Sequence, residues 1–120
     1  MKSPVILVAE DEAIIAYDLC ETIESAGFTV AGPFDDPSSA LLSAQTEKPD
    51  IAILDIKLFG GTTAYALAEK LIAEDIPVIF HSGQVTVEEV RERFPQAWAL
   101  SKPCPPGEIL ERVSEALRPQ

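Results

Sequence analysis

The chain has few basic residues, and it lacks a long apolar run. Nine lysines and arginines stand against 20 aspartates and glutamates, which gives a formal net charge of −11 over 120 residues. Nucleic-acid binding depends on lysine and arginine clustered against phosphates, so this composition argues against a nucleic-acid partner. No segment approaches the roughly 20 apolar residues of a membrane-spanning helix. The apolar run before Glu10 is also too short for a signal peptide. We therefore expect a cytoplasmic protein with no membrane partner.

Cysteine is also scarce. Cys20 and Cys104 are far apart in the sequence and belong to no paired motif. A disulfide framework or a zinc site needs more ligands at closer spacing. We therefore expect two reduced thiols, as is usual for intracellular cysteines.

The remaining composition is that of a globular protein, with 47% hydrophobic and 24% charged residues. At this length we expect one domain over residues 1–120. Short apolar runs alternate with segments of helical periodicity. The clear runs are Val5–Ala9, Ile51–Leu54 and Val78–Phe80, and the weaker ones are Phe28–Ala31 and Trp98–Leu100. Continuous hydrophobicity indicates strands buried on both faces, as in a parallel sheet covered by helices. The weaker runs are typical of edge strands, and Pro33, just after the first of them, fits an edge.

The intervals between these runs carry helix signals. The first apolar stripe ends at Gly27, and Asp36 before Pro37 is a typical helix start. Thr86 and Glu89 have the spacing of a capping box. Five strand–helix units with short connections predict a doubly wound α/β domain with a five-stranded parallel sheet.

Acidic residues follow two of the predicted strands. Glu10, Asp11 and Glu12 come after the first strand, and Asp55 comes after the third. Ligands of open parallel sheets bind beyond the carboxyl ends of the strands, so these carboxylates converge if the two strands are neighbours. Carboxylates at such a short separation repel one another unless a cation neutralises them. Oxygen ligands favour a hard divalent ion, and Mg²⁺ is the best match.

Ser82 follows the fourth strand and Lys102 the fifth. Their hydroxyl and ammonium groups would bind an anion held against the metal. A carboxylate nucleophile, a metal, a lysine and a hydroxyl together make a phosphoryl-transfer site. The only histidine, His81, would point away from Ser82 on an alternating strand, and we interpret it as a packed or surface residue.

These residues resemble the receiver domain of two-component response regulators. The resemblance covers the chain from Val5 to Leu117. It depends on motif residues in the right order on five strand–helix units, namely Glu10, Asp11, Asp55, Ser82, Gly83, Lys102 and Pro103. It implies the flavodoxin-like (βα)5 fold with strand order 2-1-3-4-5. It also implies a phosphoprotein of phosphorelay signalling rather than an enzyme, since such a domain catalyses at most its own phosphorylation and dephosphorylation.

The resemblance implies a role for each acidic residue. Asp55 would accept a phosphoryl group, as an aspartyl phosphate, from a phosphohistidine of a sensor histidine kinase or a histidine phosphotransfer protein. Asp11, Asp55 and the backbone carbonyl of Lys57 would hold Mg²⁺, with Glu10 acting through metal-bound water. The Lys102–Pro103 peptide bond would be cis. The domain would then act on a downstream protein partner as a switch, or serve as a phosphate relay or sink.

The chain differs from most receivers at a residue that transmits the signal. Ser82 and Lys102 would contact the phosphoryl oxygens, but Ala99 stands where most receivers carry an aromatic switch residue. The stretch Ile76–Gly83 and the glycines Gly60–Gly61 are similar to a single-domain subgroup that lacks this aromatic residue. Because Ala99 has no ring to rotate, we expect the output to pass through the loop after the fourth strand and the short fourth helix, over residues 82–95.

Three other functions stay open. A flavin carrier on this fold needs a phosphate loop after the first strand, where Glu10–Glu12 would repel a phosphate. A phosphatase with an aspartyl nucleophile needs an acid two residues after that nucleophile, where this chain has Lys57. The closest alternative is a pseudo-receiver that binds proteins without phosphorylation, although the complete acidic set and Lys102 argue against it.

Overall fold

The computed structural model describes residues 3–58, 61–83 and 87–118. Strands and helices alternate through these ranges. The elements are β1 Val5–Ala9, α1 Ala13–Ser25, β2 Thr29–Phe34, α2 Pro37–Thr46, β3 Ile51–Leu54, α3 Tyr65–Ala73, β4 Val78–Ser82, α4 Val87–Arg93, β5 Trp98–Ser101 and α5 Pro106–Leu117. The predicted series of five strand–helix units is confirmed.

The five strands form one parallel sheet in the order β2-β1-β3-β4-β5. This is the order that the resemblance implied, and the two weaker apolar runs are the edge strands, as predicted. The strand order reverses between β1 and β3, where ligands of such sheets bind. The carboxyl ends of β1 and β3 therefore meet at this switch point.

Strand β2 is longer than the sequence predicted, and it includes Pro33, which we expected after its end. Its register against β1 shifts between Leu7 and Ala9. Gly32 has a positive φ of 116°, and a Cβ there would lie 2.7 Å from the carbonyl oxygen of Val8. Only glycine fits that close approach. An irregular edge strand can include a proline, because an edge strand has a partner on one side only and does not need every backbone N–H as a donor.

Local signals start and end the helices as the sequence indicated. The carboxylate of Asp36 accepts a hydrogen bond of 2.8 Å from the backbone N–H of Ser39, which caps α2. Gly27 follows α1 with a φ of 95°, a conformation that favours glycine. The predicted pair of Thr86 and Glu89 cannot be compared in the same way, since Thr86 lies outside the described residues.

Alternating side chains of the sheet build two apolar layers. One layer packs against α2, α3 and α4, and Leu7, Leu54 and Phe80 belong to it. The other packs against α1 and α5 and includes Val8 and Ile79. Helices thus cover both faces of the sheet, which is the physical reason why its central strands are apolar throughout.

Within the described ranges, no helix is long and apolar enough to cross a membrane.

His81 is a polar residue within the second layer. It is 5% exposed, pairs in register with Leu100 and lines a groove between α1 and α5. Neither ring nitrogen has a hydrogen-bond partner among the residues described. Burial lowers the pKa of His81 from 6.5 to about 4, and the nearby ammonium of Lys102 acts in the same direction. The folded protein therefore holds this imidazole neutral.

We expect His81 to make the fold less stable as the pH falls from 6.5 towards 4. In this range the unfolded chain protonates the imidazole while the folded chain does not, so the unfolded state binds more protons. One proton contributes at most about 1.4 kcal/mol per pH unit to the free energy of unfolding. Urea unfolding of the wild type and of His81→Phe at pH 7, 6 and 5 measures the difference. The variant should lose less stability on acidification, and equal losses would contradict the assignment.

Candidate functional site

Four carboxylates meet beyond the ends of β1 and β3. Glu10, Asp11 and Glu12 follow β1, and Asp55 follows β3, whose pairing with β1 continues through a 2.8 Å hydrogen bond from the N–H of Asp55 to the carbonyl of Ala9. One oxygen from each of the four carboxylates lies within 4.8 Å of the others. Glu10 and Asp55 are buried, at 3% and 7% exposed, whereas the other two are exposed. The site is therefore an acidic cup with a buried floor and an open rim.

Lys102 places a single ammonium group on this floor. Its Nζ lies 2.6 Å from Oε1 of Glu10 and 3.0 Å from Oδ2 of Asp55, and 3.7 Å from Oε1 of Glu12. Burial by itself would lower the pKa of Lys102, but its bonds with Glu10 and Asp55 outweigh that effect and raise it. The lysine is thus held as a cation between two buried carboxylates.

One positive charge is not enough for this cup. Burial and, to a smaller extent, the charge of Asp55 raise the pKa of Glu10 from 4.5 to about 7, against the opposing effect of Lys102. Although Lys102 Nζ is close, Oε1 of Glu10 is a buried oxygen with no well-aligned hydrogen bond to any described group. Its other oxygen accepts from the N–H of Glu12 at 3.2 Å. An oxygen-only donor set that lacks positive charge fits a hard divalent cation, and Mg²⁺ is the ion that such sets favour.

The connection after β3 brings Lys57 to the same site. Lys57 forms an isolated antiparallel bridge with Thr63. Two hydrogen bonds of 2.8 Å close this bridge. The N–H of Ala64 donates to the carbonyl of Ile56, and the N–H of Leu58 donates to the carbonyl of Thr62. The carbonyl of Lys57 accepts neither of these two hydrogen bonds. Gly60, which the sequence analysis noted, lies outside the described residues.

A cavity of about 290 Å³ joins these groups to the ends of β4 and β5. It is lined by Asp11, Glu12, Asp55, Lys57, Ser82, Gly83 and Lys102. Ser82 ends β4 and is buried, and its carbonyl accepts a 3.1 Å hydrogen bond from the N–H of Lys102. The Lys102–Pro103 peptide bond is cis. The structure therefore brings together all the residues to which the sequence assigned a role in metal or phosphoryl binding.

Two parts of the site were not predicted. Glu12 received no individual role, yet it shares the carboxylate cluster and lies near Lys102. Its position directly after Asp11, in an acidic triplet, was the available signal. The second is the packing of Tyr65 close to the site. Tyr65 and Ala99 both pack into the apolar layer that contains Phe80. No role was predicted for Tyr65 from the sequence, and nothing in the pattern around it indicated which rings it contacts.

The cup can bind a divalent cation and an anion side by side. The carboxylate of Asp55 lies on the floor of the cavity, next to a lysine and within reach of the other oxygens. Such an arrangement presents a carboxylate oxygen to an electrophile whose developing negative charge the cations stabilise. Phosphoryl groups are electrophiles of this kind.

Comparisons with known proteins agree with this geometry. The family model described as the response regulator receiver domain matches residues 6–114. The transcriptional regulatory protein PdtaR of Mycobacterium tuberculosis is 31% identical over 115 residues, which cover 93% of this chain and 56% of PdtaR. The phyllosphere-induced regulator PhyR of Methylorubrum extorquens is 30% identical over 114 residues, which cover 93% of this chain and 43% of PhyR. The chain thus spans about half the length of the curated relatives it matches.

Solved structures give the same result. The signal receiver domain of a modulated diguanylate cyclase from Desulfovibrio desulfuricans G20 superposes with a TM-score of 0.85 at 30% identity, covering 97% of this chain and 94% of that one. The PhyR receiver domain of Erythrobacter litoralis gives a TM-score of 0.83 at 26% identity and covers 100% and 97%. The chain therefore belongs to the family of response regulator receiver domains.

Proposed function

We propose that the chain accepts a phosphoryl group on Asp55 from a phosphohistidine of a sensor histidine kinase or a histidine phosphotransfer protein, in a reaction that needs Mg²⁺. Receiver domains in general are signalling modules that take up a phosphoryl group on an aspartate. The observation that carries the proposal for this chain is the position of Asp55. It is a buried carboxylate with an ammonium 3.0 Å away, on the floor of an acidic cup.

The reaction follows from the groups around Asp55. A bond forms between a carboxylate oxygen of Asp55 and phosphorus, and the bond between phosphorus and the imidazole nitrogen of the donor breaks. The imidazole keeps the electron pair of that bond and takes up a proton from solvent. Mg²⁺, when bound, supplies positive charge to the phosphoryl oxygens, and Asp11, Asp55 and the Lys57 carbonyl would hold it, with Glu10 acting through water.

Lys102 and Ser82 serve the phosphoryl group in this proposal. Before the reaction, Lys102 is paired with Glu10 and Asp55, which keeps the carboxylates together. As negative charge moves onto the phosphoryl oxygens, the same ammonium can bind one of them without a large movement. Ser82 lines the cavity from the end of β4 and offers a hydroxyl to another oxygen.

We expect Asp55→Asn to abolish phosphorylation. The amide keeps the shape of the side chain but removes the nucleophile. Intact mass spectrometry after incubation with phosphoramidate and Mg²⁺ should show one added phosphoryl group on the wild type and none on the variant or in the presence of EDTA. Asp18→Asn, which changes an exposed carboxylate on α1, is the matched control and should react normally. A phosphoryl group on Asp55→Asn would move the site elsewhere. A wild type that never reacts would favour the pseudo-receiver.

Asp11→Ala should weaken Mg²⁺ binding. Asp11 supplies one of the oxygens of the cup and lies on its exposed rim, so its loss removes a ligand and a negative charge without opening the core. We expect the affinity to fall about tenfold or more, and phosphorylation to slow with it. Calorimetric titration with MgCl₂ measures the affinity, with Asp18→Ala as the control. The ligand role is excluded if the two variants bind Mg²⁺ equally well.

Lys102→Ala should phosphorylate slowly and still fold. Loss of one preorganised charge at a reacting centre typically costs about 10²- to 10³-fold in rate. Mg²⁺ affinity should rise, because the ammonium no longer competes for the oxygens of Glu10 and Asp55. Lys57→Ala is the matched control, since it removes an exposed lysine of the same cavity and keeps the backbone carbonyl. Circular dichroism checks the fold, and a wild-type phosphorylation rate in Lys102→Ala would remove the lysine from the mechanism.

A further inference from the structure

An aromatic cluster lies in the layer between the sheet and helices α3 and α4. Tyr65 begins α3, Phe80 belongs to β4 and Phe94 follows α4 directly. The ring centroids are 6.4 Å apart for Tyr65 and Phe80, 5.7 Å for Tyr65 and Phe94, and 5.1 Å for Phe80 and Phe94. The guanidinium of Arg93 lies 4.2 Å from the centre of the Tyr65 ring. Tyr65 thus contacts β4 and the end of α4 at once.

This cluster occupies the surroundings of Ala99. Ala99 pairs in register with Phe80 and packs into the same layer as Tyr65. Phe80 and Phe94 are buried, whereas Tyr65 is only half-buried. Tyr65 is therefore the ring of this cluster that can shift at the surface without opening the core. Its stacked contact and its cation–π contact are individually weak, so a small rearrangement can break them.

Tyr65 is also connected to the acidic cup. The bridge between Lys57 and Thr63 closes the short connection from β3 to α3, and the N–H of Ala64 donates to the carbonyl of Ile56 at 2.8 Å. Lys57 lines the cavity around Asp55, and Tyr65 follows Ala64 directly. A displacement of the Lys57 backbone is therefore passed through the bridge to the first turn of α3.

Helix α4 is suited to respond at the other end. It has seven residues, and Val90 is the one described as buried within it. Its last residue, Arg93, and the residue that follows, Phe94, both contact the Tyr65 ring. A short helix with so few buried contacts has a low free energy of local opening. The position of Tyr65 can therefore change the stability of α4.

We propose that Tyr65 is a positioning residue that couples the occupancy of the acidic cup to helix α4, through the connection from β3 to α3. It would do so from α3, in a receiver whose β5 has alanine at position 99. This coupling rests on the proposed function, because it requires that the cup bind Mg²⁺ and a phosphoryl group.

Amide hydrogen exchange with and without beryllofluoride tests the coupling. Beryllofluoride with Mg²⁺ is the probe for the phosphoryl group, and exchange is followed in residues 55–58 for binding and in residues 87–93 for the response of α4. Tyr65→Leu removes the ring and keeps an apolar side chain, whereas Tyr65→Phe keeps the ring. Tyr17→Leu is the control, because Tyr17 is exposed on α1, which packs against the other apolar layer.

We expect the probe to change exchange at both places in the wild type, in Tyr65→Phe and in Tyr17→Leu. In Tyr65→Leu the exchange response of α4 should fall at least about fivefold, while residues 55–58 still respond. A full response of α4 in Tyr65→Leu overturns the coupling and leaves the proposed function in place. A wild type in which residues 55–58 do not respond overturns the proposed function, and the coupling with it.

A second variant guards against a folding defect in Tyr65→Leu. Arg93→Gln removes the cation–π contact from an exposed position, so the core is unaffected. We expect its α4 response to fall below that of the wild type with binding at residues 55–58 retained. If Tyr65→Leu does not fold, an undiminished response in Arg93→Gln overturns the coupling.

Discussion

The burial of two carboxylates beside one ammonium is the constraint on which the site depends. Glu10 and Asp55 are buried at the ends of neighbouring strands, and Lys102 contacts both. Burying a charge is costly unless it is paired, and removing one partner of such a group leaves an uncompensated charge. Lys102 follows β5, which lies two strand spacings, about 10 Å, from β3. Only a long side chain can bring a cation that far.

Lys102 is therefore a resident cation in a cup that needs more charge than it supplies. Glu10 has a raised pKa in its presence because burial dominates, and Oε1 of Glu10 still lacks a well-aligned hydrogen bond within the described part of the chain. A proton and the ammonium compete for the same oxygens, and the proposed Mg²⁺ would compete with both of them. Binding of one of them changes the affinity of the site for the others. This is the general condition for a site that changes state when a ligand binds.

The sequence predicted the fold well because burial on both faces leaves a direct trace in it. The apolar runs of β1, β3 and β4 and the strand–helix alternation were sufficient for the architecture, and the family resemblance added the strand order. The extent of β2 was wrong, since the register shift that admits Pro33 depends on its pairing with β1. The contact of Tyr65 with Phe80 and Phe94 could not be predicted either. The apolar run that contains Phe80 indicates that this residue is buried, but not that rings so distant in sequence meet.

The alanine at position 99 and the aromatic cluster belong to the same packed layer. Protein interiors are densely packed, and a larger side chain forces its neighbours to move or strains them. A ring at Ala99 would enter the layer that contains Tyr65, Phe80 and Phe94, next to its register partner Phe80. The ring that stacks against Phe94, at the end of α4, is that of Tyr65 on α3. In this receiver, an aromatic contact with the end of α4 comes from the helix that follows Asp55 in the chain, where the strand that precedes Lys102 has alanine.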